Sequence, residues 1–304
     1  MNYLAGLKTG DAIELIAPAS RCSDAELRGL LDLLESWGLR VLVSDTLFGK
    51  DLLCANSDEQ RFLHLKNALY NPESKAIICV RGGYGATRLL PQLTQLKAPA
   101  MAKIFVGMSD ITCLHLYLQQ HWHWPTVHGS VLPAKLSAES LASLKSILFA
   151  QTPSVVFNTM KPLNQLAQAS GLIQSQVIGG NLTLVQASIG TRWQMNGSRR
   201  FILLEDVGER GYRVDRMLEH LQQANLFQDA TAIIFGDFLE GKEPNGSSLI
   251  QPVLERFAAQ CPIPVVQIEG VGHGRTNFPI PLGTDASLQL GVDIKLTCQL
   301  GIYP

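Results

Sequence analysis

"AIICVRGGYGATRLL" at residues 76–90 and "KIFVGMSDITCLHLYLQQ" at residues 103–120 share one plan. Each opens on a short apolar run typical of a buried strand, passes through a turn and ends in a helical pattern. Strands that alternate with helices predict right-handed crossovers and a parallel sheet covered on both faces. In such sheets ligands bind beyond the carboxyl ends of the strands, so we expect the turns after Val80 and Gly107 to lie at a binding edge.

The flanking segments extend this alternation. Apolar runs at 12–18 and 39–45 predict further strands. Residues 23–38 and 57–72 predict helices, because each begins with a serine that is followed three residues later by Glu or Gln, the spacing of a capping box. We therefore assign residues 1–150 to an α/β domain.

The second half of the chain is more mixed. Residues 151–170 are weakly patterned and contain two prolines, so we interpret them as a linker or crossover. Residues 171–304 combine helical patterns with late β-type runs, "ASLQL" and "VDIKLTCQL". This mixture predicts a second domain that carries both helices and strands.

Composition limits the possible partners and compartment. A net charge of −1 over 304 residues favours neither nucleic acid nor an anionic membrane as a partner. The six cysteines are scattered without a C-x-x-C pair, which indicates reduced, buried thiols and no metal site. Because no apolar run has the length of a signal peptide core or a membrane span, we expect a cytoplasmic protein.

Ser109 is the candidate nucleophile. It lies between a predicted buried strand and a helix, the position of a nucleophile elbow, where a sharp turn exposes the hydroxyl. Gly107 fits the first glycine of G-x-S-x-G, but Ile111 stands at the second. The alternative is that Ser109 only caps the following helix.

The glycines at 82, 83 and 85 permit positive φ angles and close backbone approach. Their N–H groups are therefore candidates for an oxyanion hole near Ser109. The competing hypothesis is a nucleotide phosphate loop, but Arg88 occupies the third glycine position of a dinucleotide motif. A second resemblance to a phosphate loop, "GDFLEGK" at 236–242, lacks the required Ser or Thr.

A serine nucleophile needs a base, and the base needs an acid. Among seven histidines we favour His273, which glycines flank in "GVGHGRTNFPIPLG", and we keep His128 in reserve. The other histidines lie on or beside predicted helices. The apolar run "RFILLEDVGER" ends on Glu205 and Asp206, and the residues alone do not choose between these two acids.

These segments together resemble the serine LD-carboxypeptidases, the murein tetrapeptide carboxypeptidases. The resemblance rests on the order and spacing of "IAPAS", "VRGGYGATRLL", "GMSDIT", "GGNLTLVQASIGT", "LLEDVGERGYRVDRML" and "GHGRTNFPIPLG". It implies an N-terminal flavodoxin-like domain, a smaller β-rich C-terminal domain and a Ser109–Glu205–His273 triad in the cleft between them. It also implies a cytoplasmic homodimer without a cofactor, which releases terminal D-alanine from murein tetrapeptides during peptidoglycan recycling.

On this hypothesis the N–H groups of Gly83 and Asp110 bind the oxyanion, and Arg81, Gly82 and Tyr84 contact substrate. Arg81 would grip the terminal carboxylate, unless it pairs with a surface acid instead. One alternative is a relative that cleaves a peptide–nucleotide antibiotic of the microcin C type, with Trp193 stacking on the base. Another is a non-catalytic ligand-binding protein, which would not need His273.

Overall fold

The computed structural model describes residues 4–301, which form two β-sheets with packed helices. The first half runs β1 (Ala12–Ile16), α1 (Asp24–Ser36), β2 (Arg40–Val43), α2 (Asp58–Tyr70), β3 (Ser74–Cys79), α3 (Leu90–Leu93), β4 (Ile104–Gly107), α4 (Thr112–Trp122), β5 (Thr126–His128) and α5 (Ala138–Leu148). The second half runs β6 (Ser154–Phe157), β7 (Met160–Pro162), α6 (Gln165–Gln168), β8 (Gly171–Asn181), α7 (Leu182–Ala187), β9 (Phe201–Val207), α8 (Gly211–Gln223), β10 (Ala232–Leu239), α9 (Ile250–Gln260), β11 (Val265–Ile268), β12 (Ile280–Leu282), β13 (Asp285–Leu290) and β14 (Lys295–Gln299).

The predicted helix start at Ser23 is confirmed in detail. The Glu26 N–H donates to the Ser23 hydroxyl at 3.2 Å, and the Glu26 carboxylate accepts from the Ser23 N–H at 2.8 Å. This reciprocal capping box satisfies two backbone donors that the first turn of α1 leaves free. Ser57 caps α2 by accepting from the Gln60 N–H at 3.3 Å.

The first sheet has the strand order β2-β1-β3-β4-β5-β12, and β1 to β5 are all parallel. This is the flavodoxin-like order, and the α/β prediction is confirmed. The order reverses between β1 and β3, so the carboxyl ends of these two strands flank the expected ligand crevice. The turns that follow β3 and β4 both open at this edge.

The second sheet has the order β6-β14-β13-β8-β9-β10-β11-β7. Its centre, β8 to β11, is parallel, and antiparallel strands extend it on both sides. Residues 151–170, which we predicted to be a linker, supply both edge strands, β6 and β7. The sequence signal was weak because these strands have only three or four residues and are mostly half-exposed, so they show little alternation.

The two halves of the chain share structure. Strand β12 leaves the second half and pairs antiparallel with β5 at the edge of the first sheet. One apolar cluster contains Phe105 and Leu116 from the first half and Ile178 and Leu204 from the second. The domain boundaries themselves therefore stay a prediction. Among the described residues, no helix has both the length and the apolar character needed to cross a membrane.

Candidate active site

Ser109 lies on a sharp turn between β4 and α4. All four residues of β4 are buried, and Ser109 then opens a short 3₁₀ turn with a φ of +61°, a left-handed conformation that is uncommon outside glycine. The turn also explains the departure at Ile111 from the elbow motif. A Cβ at Gly107 would lie 2.7 Å from Ile111 Cγ2, so the one glycine makes room for the isoleucine.

The glycine turn after β3 packs directly on this serine. A Cβ at Gly82 would lie 2.7 Å from both Met108 O and Ser109 Cβ. Gly83 has a φ of +103°, and a Cβ there would meet the Ser20 hydroxyl at 2.4 Å. No described residue accepts a hydrogen bond from the Gly83 N–H. The turn therefore offers a free backbone donor close to Ser109.

Asp110 connects the two turns through its side chain. Its carboxylate accepts a hydrogen bond of 2.7 Å from the Ala86 N–H, just beyond the glycine turn. Burial raises the pKa of Asp110 to about 6, although the Ala86 hydrogen bond opposes the rise. The sequence suggested only the Asp110 N–H as a functional group, whereas the structure gives its carboxylate a role in holding the turns together.

Glu205 and His273 form a close pair. Glu205 lies near the end of β9 and is fully buried, and its Oε2 lies 2.7 Å from His273 Nδ1. Burial opposes a charged His273, but the hydrogen bond and charge of Glu205 outweigh it, so the pKa of His273 is raised. A proton on Nδ1 that donates to Glu205 leaves the lone pair on Nε2. Nε2 has no hydrogen-bond partner among the described residues, so it is available as a base.

Asp206, the other candidate acid, faces a different environment. Its carboxylate accepts from Asn181 Nδ2 at 3.0 Å, and from the Thr183 N–H and hydroxyl at 2.9 and 2.8 Å. These bonds anchor the start of α7. The sequence alone did not choose between the two acids. The structure distinguishes them, because only Glu205 is hydrogen-bonded to His273.

His128, the reserve base, lies at the end of β5 and is 1 % exposed. Its Nε2 is 3.4 Å from Glu205 Oε1, close enough for electrostatic attraction, but no hydrogen bond joins them. Burial disfavours the charged form of Glu205, yet the imidazoles of His128 and His273 together lower its pKa. His128 thus supports the acid and does not line the cavity that contains Ser109.

Ser109 and His273 line one cavity of about 320 Å³ between the two halves of the chain. No hydrogen bond joins the Ser109 hydroxyl to His273 Nε2, which is common before substrate binds. The wall also includes Arg81, Gly82 and Gly83. Within residues 4–301, no three His, Cys, Asp or Glu side chains are grouped to hold a metal ion.

Of the other residues predicted to contact a ligand, one lines the cavity, one is exposed outside it and one is buried in the core. Arg81 lines the cavity, donates to the Arg21 carbonyl at 3.3 Å and has no acidic partner in the described part of the chain. Tyr84 is 46 % exposed and is not part of the cavity wall. Trp193 is 7 % exposed and packs in the apolar core, so it is not free to stack on a base.

Comparison with known sequences decides the family. Residues 13–129 match the LD-carboxypeptidase N-terminal domain, and residues 174–288 match the LD-carboxypeptidase C-terminal domain. The chain belongs to the LD-carboxypeptidase family. A putative carboxypeptidase of Rickettsia conorii is 39 % identical over 94 % of this chain and 90 % of its own length. The murein tetrapeptide carboxypeptidase of Pseudomonas aeruginosa is 31 % identical over 91 % of this chain and 92 % of its own.

Solved structures agree with this assignment. The muramoyltetrapeptide carboxypeptidase of Oxalobacter formigenes superposes with a TM-score of 0.79 at 27 % identity, over 96 % of this chain and 99 % of that one. The structure of MccF with glutamyl sulfamoyl guanosine gives a TM-score of 0.83 at 18 % identity, over 98 % of both chains, and shows the shared fold alone. The protein is a carboxypeptidase with the two-part architecture of its family.

Two further residues of the carboxypeptidase site, Ser20 and Asn277, were not predicted from the sequence. Ser20, just after β1, donates its N–H to the Gly82 carbonyl at 3.2 Å and accepts from the Tyr84 N–H at 3.1 Å, which fixes the glycine turn. Asn277 lines the cavity and is 1 % exposed. Asn277 stands inside the quoted histidine motif, but two of its partners, Ser130 and Ser140, lie more than a hundred residues away, so no local pattern indicated a role.

Proposed function

We propose that this carboxypeptidase hydrolyses the L-to-D peptide bond of murein tetrapeptides and releases the terminal D-alanine, a step of peptidoglycan recycling. The observation that carries the proposal is the 2.7 Å Glu205–His273 contact beside a serine on a strained strand-to-helix turn. The substrate is inferred from the relatives in Pseudomonas aeruginosa and Oxalobacter formigenes, whose names specify murein or muramoyl tetrapeptides.

In the proposed reaction the Ser109 hydroxyl attacks the carbonyl carbon of the scissile bond, and His273 Nε2 takes its proton. Glu205 stabilises the imidazolium and holds the ring in the required tautomer. The tetrahedral intermediate collapses when His273 returns the proton to the nitrogen of D-alanine, which leaves. Water, activated by the same histidine, then releases the acyl group from Ser109.

The negative oxygen of the intermediate needs donors that are already in place. We assign the backbone N–H groups of Gly83 and Asp110 to this role. The free Gly83 donor and the contact between Gly82 and the serine turn support the assignment. Removal of one such donor typically raises the barrier by about 3–4 kcal/mol.

A carboxypeptidase also has to recognise a free chain end. We assign the terminal carboxylate to Arg81, because this residue lines the cavity and its guanidinium has no acidic partner within residues 4–301. Gly82 lets the peptide backbone approach the same wall. Tyr84 stays a proposed contact only for parts of the substrate that extend outside the cavity, because its side chain is exposed.

We also propose that the enzyme acts as a homodimer in the cytoplasm. All six cysteines are free, which suits a reducing compartment. The homodimer is inferred from the family resemblance, and light scattering on the purified protein tests it. The peptide–nucleotide alternative loses its expected base-stacking residue, because Trp193 is buried.

Incubation of the enzyme with purified murein tetrapeptide and assay for free D-alanine test the proposed function. We expect stoichiometric D-alanine and the tripeptide by mass spectrometry. An aminoacyl sulfamoyl nucleotide serves as the competing substrate. Cleavage of the nucleotide conjugate with an intact tetrapeptide would contradict the proposal.

A further inference from the structure

Asn277 is hydrogen-bonded on every side, four residues after His273 in the loop that joins β11 to β12. Its Oδ1 accepts from the Ser130 N–H at 2.9 Å, its own N–H donates to the Ser140 hydroxyl at 2.8 Å, and its Nδ2 donates to the Gly272 carbonyl. Chemistry fixes the orientation of this amide, because an N–H faces the oxygen and a carbonyl faces the NH₂ group.

The bond to Gly272 acts on His273 directly. The Gly272 carbonyl and the His273 nitrogen belong to one planar peptide unit, so a hydrogen bond that holds the carbonyl also holds the start of His273. The loop runs close to the acid at this point, because a Cβ at Gly272 would lie 3.2 Å from Glu205 Oε2. Glu205 thus orients the imidazole ring, and Asn277 orients the backbone that carries it.

The bond to Ser130 leads back to the nucleophile. Ser130 follows Gly129, whose N–H donates to the Gly107 carbonyl at 3.0 Å. Gly107 ends β4 two residues before Ser109. Hydrogen bonds and short covalent links therefore connect the serine strand to the histidine loop, with Asn277 as the side chain that joins the two.

We propose that Asn277 is a positioning residue that holds His273 within reach of Ser109. The inference rests on the proposed function, in which these two residues carry out the chemistry. Ser109 and His273 come from opposite halves of the chain, and no hydrogen bond joins them directly. The packing of the halves brings the two residues together, and Asn277 fixes the histidine loop against the serine strand. A displacement of about 1 Å at such a contact can lower a rate about 100-fold.

The competing explanation is that Asn277 only stabilises the fold. Asn164 provides a matched control, because its amide makes a similar set of three hydrogen bonds and is not part of the cavity wall. Its Nδ2 donates to the Ile263 carbonyl at 2.8 Å, and its Oδ1 accepts from the N–H groups of Val265 and Ala167 at 3.2 and 3.1 Å. Loss of these bonds should lower stability without moving His273.

The experiment compares Asn277→Ala, Asn277→Asp and Asn164→Ala. Asn277→Asp keeps the size and the Ser130 contact but places an oxygen against the Gly272 carbonyl, so it tests the key bond if the alanine variant fails to fold. The measurements are the free energy of unfolding, kcat, KM and the rate at which a fluorophosphonate labels Ser109. Labelling needs the serine and its base but no peptide substrate.

We expect both Asn277 variants to lose about 10- to 100-fold in kcat and in labelling rate, with KM changed less than about threefold. Asn164→Ala should lose stability but keep kcat and labelling within about threefold. If the Asn277 variants lost stability but kept kcat and the labelling rate, as expected for the control, Asn277 would have only a structural role. That result would contradict the inference without affecting the proposed triad. A fully active Ser109→Ala enzyme would instead remove the proposed function, and the inference with it.

Discussion

Ser109 has a strained backbone and a side chain without a hydrogen bond in the described structure, a combination that suits a reacting group more than a helix cap. Ser109→Ala should keep the folded state, because the hydroxyl makes no hydrogen bond within residues 4–301 that alanine would lose. Turnover should fall by roughly 10⁴- to 10⁶-fold. D-alanine release measures the loss of turnover, and thermal unfolding checks that the variant stays folded. Substantial turnover by a folded Ser109→Ala enzyme would exclude it as the nucleophile.

The raised pKa of His273 predicts a pH profile. A base must be neutral, so kcat/KM of the unmodified enzyme should rise with pH through a value above the ordinary histidine pKa of about 6.5. Glu205→Gln removes the charge that raises this pKa, while burial, which lowers it, remains. The acidic limb should therefore move to lower pH, and the plateau should fall roughly 10²- to 10⁴-fold.

Asp206→Asn is the matched control for that change. Its carboxylate contacts Asn181 and Thr183, so the substitution should lower stability by about 1 kcal/mol per weakened bond and leave kcat within about tenfold. A larger loss of kcat in Asp206→Asn than in Glu205→Gln would mean that the acid is misassigned.

The residues of the site differ in how clearly the sequence indicated them. Ser109 and His273 have local signals, a strand-to-helix turn and flanking glycines, and the structure places both on one cavity. The choice of Glu205 over Asp206 required the family resemblance, because the deciding contact to His273 spans 68 residues. Asn277 had no usable signal, since its partners at Ser130 and Ser140 lie 147 and 137 residues away.

At the scale of elements, the site depends on two turns that touch. Gly82→Ala should push the glycine turn away from the nucleophile turn, because the new Cβ would lie 2.7 Å from Met108 O and Ser109 Cβ. We expect kcat to fall about 10- to 100-fold in a folded enzyme. Gly171→Ala, where a Cβ meets nothing within 4 Å, is the control and should keep full activity. Equal kcat in the two variants would show that the turns need not touch.

Helices and strands with a strong apolar pattern were predictable from the sequence, and the short edge strands β6 and β7 were not. The helix that begins after Ser23 and the strands that precede the two turns follow from capping and apolar runs. The edge strands within 151–170 did not, because a short strand with one neighbour gains its stability from pairing and not from its own pattern. Their pairing partners, β14 and β11, lie more than a hundred residues later.

The whole molecule should unfold as one unit. Strand β12 crosses from the second half into the first sheet, and one apolar cluster includes side chains from both halves. Calorimetry should therefore show one cooperative transition, with equal calorimetric and van't Hoff enthalpies. A fragment of residues 1–150 should aggregate, because it exposes the β5 edge and the shared apolar surface. Two separate transitions would contradict this.

If the cleft between the halves is a serine carboxypeptidase site for a free chain end, cleavage must depend on the terminal carboxylate. The test compares kcat/KM for D-alanine release from murein tetrapeptide with the release of D-alanine amide from the same peptide amidated at its end. We expect the free acid to be cleaved at least about 100-fold faster, since amidation leaves the Arg81 charge unpaired. Arg81→Ala should reduce this difference in kcat/KM by slowing cleavage of the free-acid peptide. Equal cleavage of both peptides by the unmodified enzyme would show that the site does not recognise a free chain end.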